Sequence, residues 1–166
     1  MSYYYFYKYL VKPIKYIFGL EYLSDTIRKK RTKVGKLFYH HKYTAKELVE
    51  ELKSLGLTRG TVVIVHSAFS SFYNYQGTPE ELIDEILKAI GPDGTLCMPA
   101  YPNDKFNPNK IFDVRTDKSA AGLLTEVFRN RPGVKRSLNK LHSVCALGAK
   151  ADYIVCEHHL SNTSFD

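Results

Sequence analysis

The sequence predicts an α/β domain with parallel strand pairing, and three observations carry that prediction. Residues 61–65, Thr-Val-Val-Ile-Val, are all β-branched with no polar alternation, as a strand covered on both faces requires. A helix-start signature and an amphipathic stretch follow, and then a second short apolar run. Strand, helix and strand in that order make a right-handed βαβ unit.

The elements follow in order. Thr44-Ala-Lys-Glu47 is a capping box, in which the Thr hydroxyl and the Glu carboxylate each satisfy an otherwise unpaired N–H. It opens a helix with Leu48, Leu52 and Leu55 on one face. Gly56 ends that helix, and Gly60 turns the chain into the strand at 61–65. Thr78-Pro-Glu-Glu81 is a second capping box, with Pro79 at the first helical position, where its missing N–H costs nothing. Leu82, Ile83, Ile86, Leu87 and Ile90 give the second helix its apolar stripe. Gly91-Pro-Asp-Gly94 is a turn, and residues 95–99 read as the next strand. Residues 100–118 form a long loop rich in Pro, Asn and Asp, a length that inside a compact domain points to function. Residues 120–131 read as a helix with Leu123, Leu124, Val127 and Phe128 as its apolar face. Residues 137–148 read as loop and strand, and 149–158 as a further helix.

Charge divides the chain. The whole carries +7, but residues 1–43 hold 10 Lys+Arg against 2 Asp+Glu, whereas residues 44–166 hold 14 against 15. We therefore divide it into a basic, Tyr-rich extension (1–43) and an α/β domain (44–166). The near-neutral domain offers no continuous basic face, which excludes a nucleic-acid binder. The apolar windows of the extension are broken by Lys and Pro13, so it does not span a bilayer, and its aromatic-first order is not that of a signal peptide. Two readings of it stand: peripheral contact with an anionic membrane surface, or a basic helix packed on its own domain or a partner.

Cys97, Cys145 and Cys156 are too few for a disulfide framework, and their odd count fits a reducing, cytoplasmic setting. Cys156 lies beside His158 and His159, but no second Cys pair or carboxylate cluster completes a ligand set, so no metal is expected.

The strand at 61–65 runs into His66, Ser67, Ala68, Ser70 and Ser71. Small residues there let backbone N–H groups approach a ligand, and the hydroxyls add partners. In open α/β sheets, ligands sit just outside such strand ends.

Taken together, Leu55-Gly-Leu-x-x-Gly60, Val65-His66-Ser67-x-x-Ser70, Gly91-Pro-Asp-Gly94-Thr-Leu-x-Met-Pro99, Phe112-Asp113 and Arg131-Pro-Gly133-x-x-Arg136-Ser137 resemble the aminoglycoside 3-N-acetyltransferase family. The resemblance runs from about residue 45 to the end. It implies a three-layer α/β/α sandwich around a mostly parallel sheet, and transfer of acetyl from acetyl-CoA to an amino group of an aminoglycoside or other amino sugar, including one in polysaccharide biosynthesis. It also implies that His66, Ser67, Ala68 and Ser70 receive CoA, with Arg136 a candidate for a CoA phosphate. Asp104 and Asp113 are candidates for a cationic amino sugar.

The chain departs from the family pattern in two ways. The motif Arg-Ser-x-His-Pro-x-x-Ser appears as Arg136-Ser137-Leu138-Asn139-Lys140-Leu141-His142-Ser143, so Asn139 holds the place of the family His, and Asn cannot take a proton from an attacking ammonium. His142 is the candidate substitute base. The chain also ends at Asp166, a little past halfway along the family's length. A sheet lacking later strands is expected to expose a pairing edge and apolar surface. The alternative function is therefore a catalytically inactive fragment that keeps CoA binding without turnover.

Overall fold

The computed structural model describes residues 40–161. The extension to residue 39, with its membrane reading, lies outside them. The α/β unit begins at Lys42. Tyr43 is already tied into it, because the Gln76 N–H donates to the Tyr43 carbonyl at 2.7 Å and the Tyr43 and Tyr75 rings lie 5.6 Å apart.

The elements are α1 (Ala45–Ser54), β1 (Val62–Ile64), a 3-10 turn (Phe69–Ser71), α2 (Pro79–Ile90), β2 (Thr95–Pro99), α3 (Leu123–Arg129), β3 (Lys135–Arg136), β4 (Val144–Gly148) and α4 (Ala151–Cys156). Both capping boxes form. Thr44 and Thr78 each accept from the N–H three residues on, and Glu47 and Glu81 reach back to the cap N–H at 2.7 and 2.8 Å. The helix expected over 120–131 contracts to α3, where Leu124, Thr125 and Phe128 are buried and Leu123 is exposed.

The sheet runs β1-β2-β4-β3. β1 and β2 pair in parallel, as the βαβ reading requires, but β2–β4 and β3–β4 pair antiparallel. The expected mostly parallel sheet is therefore a mixed one. The short connection between β3 and β4 permits only antiparallel pairing, since a parallel pair needs a crossover of about a dozen residues or more. β4 thus enters between β2 and β3.

One core joins α1, α2 and α3 to Val63, Val65, Leu96, Met98 and Cys145 of the sheet. A smaller cluster joins Cys97 and Ala146 to Ala151, Ile154 and Val155 at α4. Burial pushes the Cys97 and Cys145 thiols up to about 11 and about 12, which leaves both inert as nucleophiles.

The expectation of a strand covered on both faces fails at β1. It is an edge strand, and Val62 and Ile64 remain 42% and 53% exposed. The α4 cluster covers the neighbouring strands but leaves β1 bare, so β-branching here reflects strand propensity rather than two-sided burial. Among the described residues no helix is long and apolar enough to cross a membrane.

Candidate functional site

Pairing of β1 with β2 ends at the Val65 N–H, which donates to the Cys97 carbonyl at 2.9 Å. The chain then passes through His66, Ser67 and Ala68 into the 3-10 turn, closed by the Ser71 N–H on the Ala68 carbonyl at 2.7 Å. Aromatic rings brace this turn. Phe69 lies 5.1 Å from Phe72 and 5.6 Å from Tyr75, and the Tyr75 hydroxyl donates to the Thr78 carbonyl at 3.1 Å. The turn is thereby anchored to the N-terminus of α2.

Behind it lies a cavity of about 650 Å³, with His66, Ser67, Ala68 and Ser71 at its polar rim. Leu48, Leu52 and Leu57 wall it from the α1 side, Val63 and Val65 from β1, Leu82 and Ile86 from α2, and Leu124 from α3. Ser70 is exposed and lies outside this lining, and Ser71 takes the place the sequence reading gave it. Among the described residues no Lys or Arg lines the cavity, and what these residues offer an anionic group at the rim is backbone N–H and hydroxyl donors.

The remaining candidates form separate groups. Asp104 pairs with Lys110 at 2.9 Å, and Lys110 with Asp117 at 3.2 Å, around a small polar cavity of about 350 Å³. Lys110 holds the Asp104 carboxyl below its usual range. Asp113 accepts from the Arg115 N–H at 2.8 Å and pairs with its guanidinium at 3.3 Å, and both bonds lower its pKa. Each acidic candidate thus already faces a cation of its own loop.

Arg136 is half-buried, and burial lowers its pKa. Its guanidinium donates to the Asp117 carbonyl at 2.5 Å, the Val114 carbonyl at 3.3 Å and the Ala100 carbonyl, and it lies 4.7 Å from the Phe112 ring. Arg129 and Lys140 hold other carbonyls of the same loop, those of Arg115 at 3.0 Å and Lys110 at 2.6 Å. The loop at 100–118 is therefore ordered by cations that reach it from later in the chain. The Glu126–Arg129 pair belongs to this bracing. The Arg129 side chain is only 8% exposed, and Glu126 also accepts from the Ser119 N–H at 2.8 Å.

Asn139 is buried, and its amide is fully engaged. It donates to the His158 and Ser161 carbonyls at 3.0 and 3.3 Å and accepts from the His142 N–H at 2.9 Å. Below it, the Ser137 hydroxyl accepts from the Val144 N–H at 3.0 Å and meets His158 Nδ1 at 2.9 Å. Asn139 and His142 are thus bonded to each other, and neither lines the large cavity. Asn139→Ala is expected to remove about 1–2 kcal/mol, since it strands buried polar partners. Urea unfolding checks this, and an unchanged midpoint would show that the amide bonds contribute nothing net.

The sequence profile of the aminoglycoside 3-N-acetyltransferase family matches residues 64–166. Aminoglycoside N(3)-acetyltransferase IV of Salmonella sp. is 34% identical over 113 residues, covering 67% of this chain and 42% of that protein. The crystal structure of a histidine-to-alanine mutant of aminoglycoside acetyltransferase AAC(3)-IVa with a gentamicin superposes with a TM-score of 0.62 at 32% identity, covering 71% of this chain and 45% of that one. AAC-IIIb in its binary complex with CoASH gives 0.61 at 28% identity, with 71% and 50% covered. The chain spans about half the length of these relatives. By the motifs at residues 65–70, 91–99 and 131–137, and by a profile match over most of its length, the chain belongs to the aminoglycoside 3-N-acetyltransferase family.

Proposed function

We propose that this chain contributes the acetyl-CoA-facing part of an N-acetyltransferase that acts on aminoglycosides. The observation that carries the reading is the strand-end turn at His66 to Ser71, set over an apolar cavity of about 650 Å³. The apolar walls suit an extended thioester arm, and the rim supplies hydroxyl and backbone donors for its polar groups. The relative bound to CoASH supports this choice of ligand, and the one bound to a gentamicin supports an aminoglycoside acceptor. In this reading α1, α2 and α3 form one outer layer and α4 the other, which makes the three-layer sandwich typical of the resemblance.

The reaction forms an N–C bond between the sugar amine and the acetyl carbonyl and breaks the C–S bond to CoA. The amine gives up one proton, and the departing thiolate takes one. A base must first hold the amine neutral, and an imidazole does so near neutral pH. His142 is assigned that role because Asn139 has no basic site. Backbone N–H groups at the 66–71 turn are assigned to the developing oxyanion.

A second reading is favoured by a specific observation. The amide at the family His position is committed to backbone carbonyls 19 and 22 residues away in sequence, as in a domain that binds CoA without turning it over. A thiol-release assay with acetyl-CoA and gentamicin or apramycin separates the two. Release that needs the aminoglycoside and falls about 10²-fold or more in His142→Ala is the expected result, that factor being the usual contribution of a general base. Tight CoA binding without release would establish the second reading.

A further inference from the structure

Loss of the acyl group leaves the sulfur of CoA holding the electron pair of the C–S bond, and apolar surroundings disfavour that thiolate. The fold's own thiols show the effect, since burial pushes Cys97 up to about 11 and Cys145 up to about 12. The large cavity offers similar surroundings, because aliphatic side chains from α1, β1, α2 and α3 wall it. A thiolate formed against those walls needs a proton or a positive charge beside it.

His66 is placed to supply it. Among the described residues that line the cavity, His66 is the one titratable side chain. No carboxylate, Lys, Arg, Tyr or Cys enters the lining from α1, β1, α2 or α3, and the other polar side chains are the hydroxyls of Thr61, Ser67 and Ser71. An imidazole gains and loses its proton between about pH 5 and 8, which an aliphatic hydroxyl does not. The backbone on either side is anchored. The Val65 N–H donates to the Cys97 carbonyl at 2.9 Å, and the Ser71 N–H closes the turn on the Ala68 carbonyl at 2.7 Å. His66 is also exposed, so its ring meets water and can recover a proton from it. His142 and His158 lie outside this lining.

We propose that His66 is the proton donor to the departing CoA sulfur. As the N–C bond forms and the C–S bond breaks, the sulfur takes the C–S electron pair, the imidazolium gives its proton to the sulfur, and the neutral ring is reprotonated from solvent. CoA then leaves as a thiol. The inference rests on the reading of the turn and its cavity as the acetyl-CoA site.

Calorimetric titration of the full chain with CoASH and with desulfo-CoA, which lacks only the sulfur, tests it without turnover. The wild type is expected to bind CoASH about fivefold more tightly than desulfo-CoA, the worth of one net hydrogen bond. His66→Gln is expected to bind the two alike and to keep the wild-type affinity for desulfo-CoA. In thiol release with acetyl-CoA and gentamicin, the wild-type rate should fall on the alkaline side as the imidazolium is lost, and His66→Gln should lack that limb. Wild-type binding of both probes without preference for the sulfur would overturn the proton donor and leave the CoA reading standing. A preference kept in His66→Gln would do the same, as would an alkaline limb kept in that variant. An equal loss of affinity for both probes in His66→Gln would also overturn it, and would make the ring a brace for the turn. Binding of neither probe by the wild type would overturn the CoA reading and the proton donor with it.

Discussion

Gly148→Ala is expected to lower stability by about 3 kcal/mol or more, because backbone strain and a backbone clash add. Gly148 closes β4 at φ +127, a conformation that side chains rarely adopt. A Cβ built there falls 2.1 Å from the Gly94 carbonyl oxygen and 2.8 Å from Thr95 Cα. Neither atom can yield easily, since Gly94 leads into β2 and Thr95 begins it, Thr95 pairs with Gly148, and the Ala149 N–H donates to the Gly94 carbonyl at 3.0 Å. Gly56 is the control. Its φ is +108, but nothing lies within 4 Å of the place its methyl would take, so Gly56→Ala carries backbone strain alone, about 1–2 kcal/mol. Urea unfolding of both variants measures the difference. Equal shifts in midpoint would mean that β2 and β4 move apart freely and that the close approach is not a constraint.

Glu126→Gln is expected to remove about 2 kcal/mol at neutral pH and to change how stability responds to acid. Burial pushes the Glu126 carboxyl up, but the Arg129 fork, the Ser119 N–H and the Asn130 amide together outweigh it, so its pKa lies below the ordinary 4.5. A carboxylate with a lowered folded pKa stabilises the protein fully above its unfolded value, and that contribution is lost as pH falls through the folded value. The gap between wild type and Glu126→Gln should therefore be constant near pH 7 and should close below about 4.5. Arg129 is the reason for the size of the effect, because its buried guanidinium, which also holds the Arg115 carbonyl, loses its charged partner. Chemical unfolding at a series of pH values checks this. A gap that persists unchanged into acid would show that the Glu126 charge contributes nothing and that the neutral amide fails on shape alone.

Local chemistry was legible wherever neighbours in sequence settle it. Both capping boxes, Pro79 at its helix start and the turn at 91–94 follow from residues within a few positions of one another, and the parallel pairing of β1 with β2 follows from the strand–helix–strand order. The turn at 66–71 was also legible, although Ser71 and not Ser70 lines the cavity. The bracing by Phe69, Phe72 and Tyr75 was not drawn from the sequence, though an aromatic at every third position of a loop is a readable signal for a packed turn.

Sequence proximity alone settles α1 and α2 with their caps, the first βαβ unit and the family to which the chain belongs, because short-range hydrogen bonds and motif spacing carry that information. Long-range packing alone makes β1 a bare edge, since a β-branched run looks the same with one covered face as with two. Only it decided that β4 enters antiparallel between β2 and β3, a choice made by connection length and not by strand composition. It also decided that Arg136 and Arg129 hold the long loop and that Asn139 clamps residues 158 and 161. Those contacts join positions from 14 to 36 residues apart, and no local pattern records which carbonyl a distant side chain will meet.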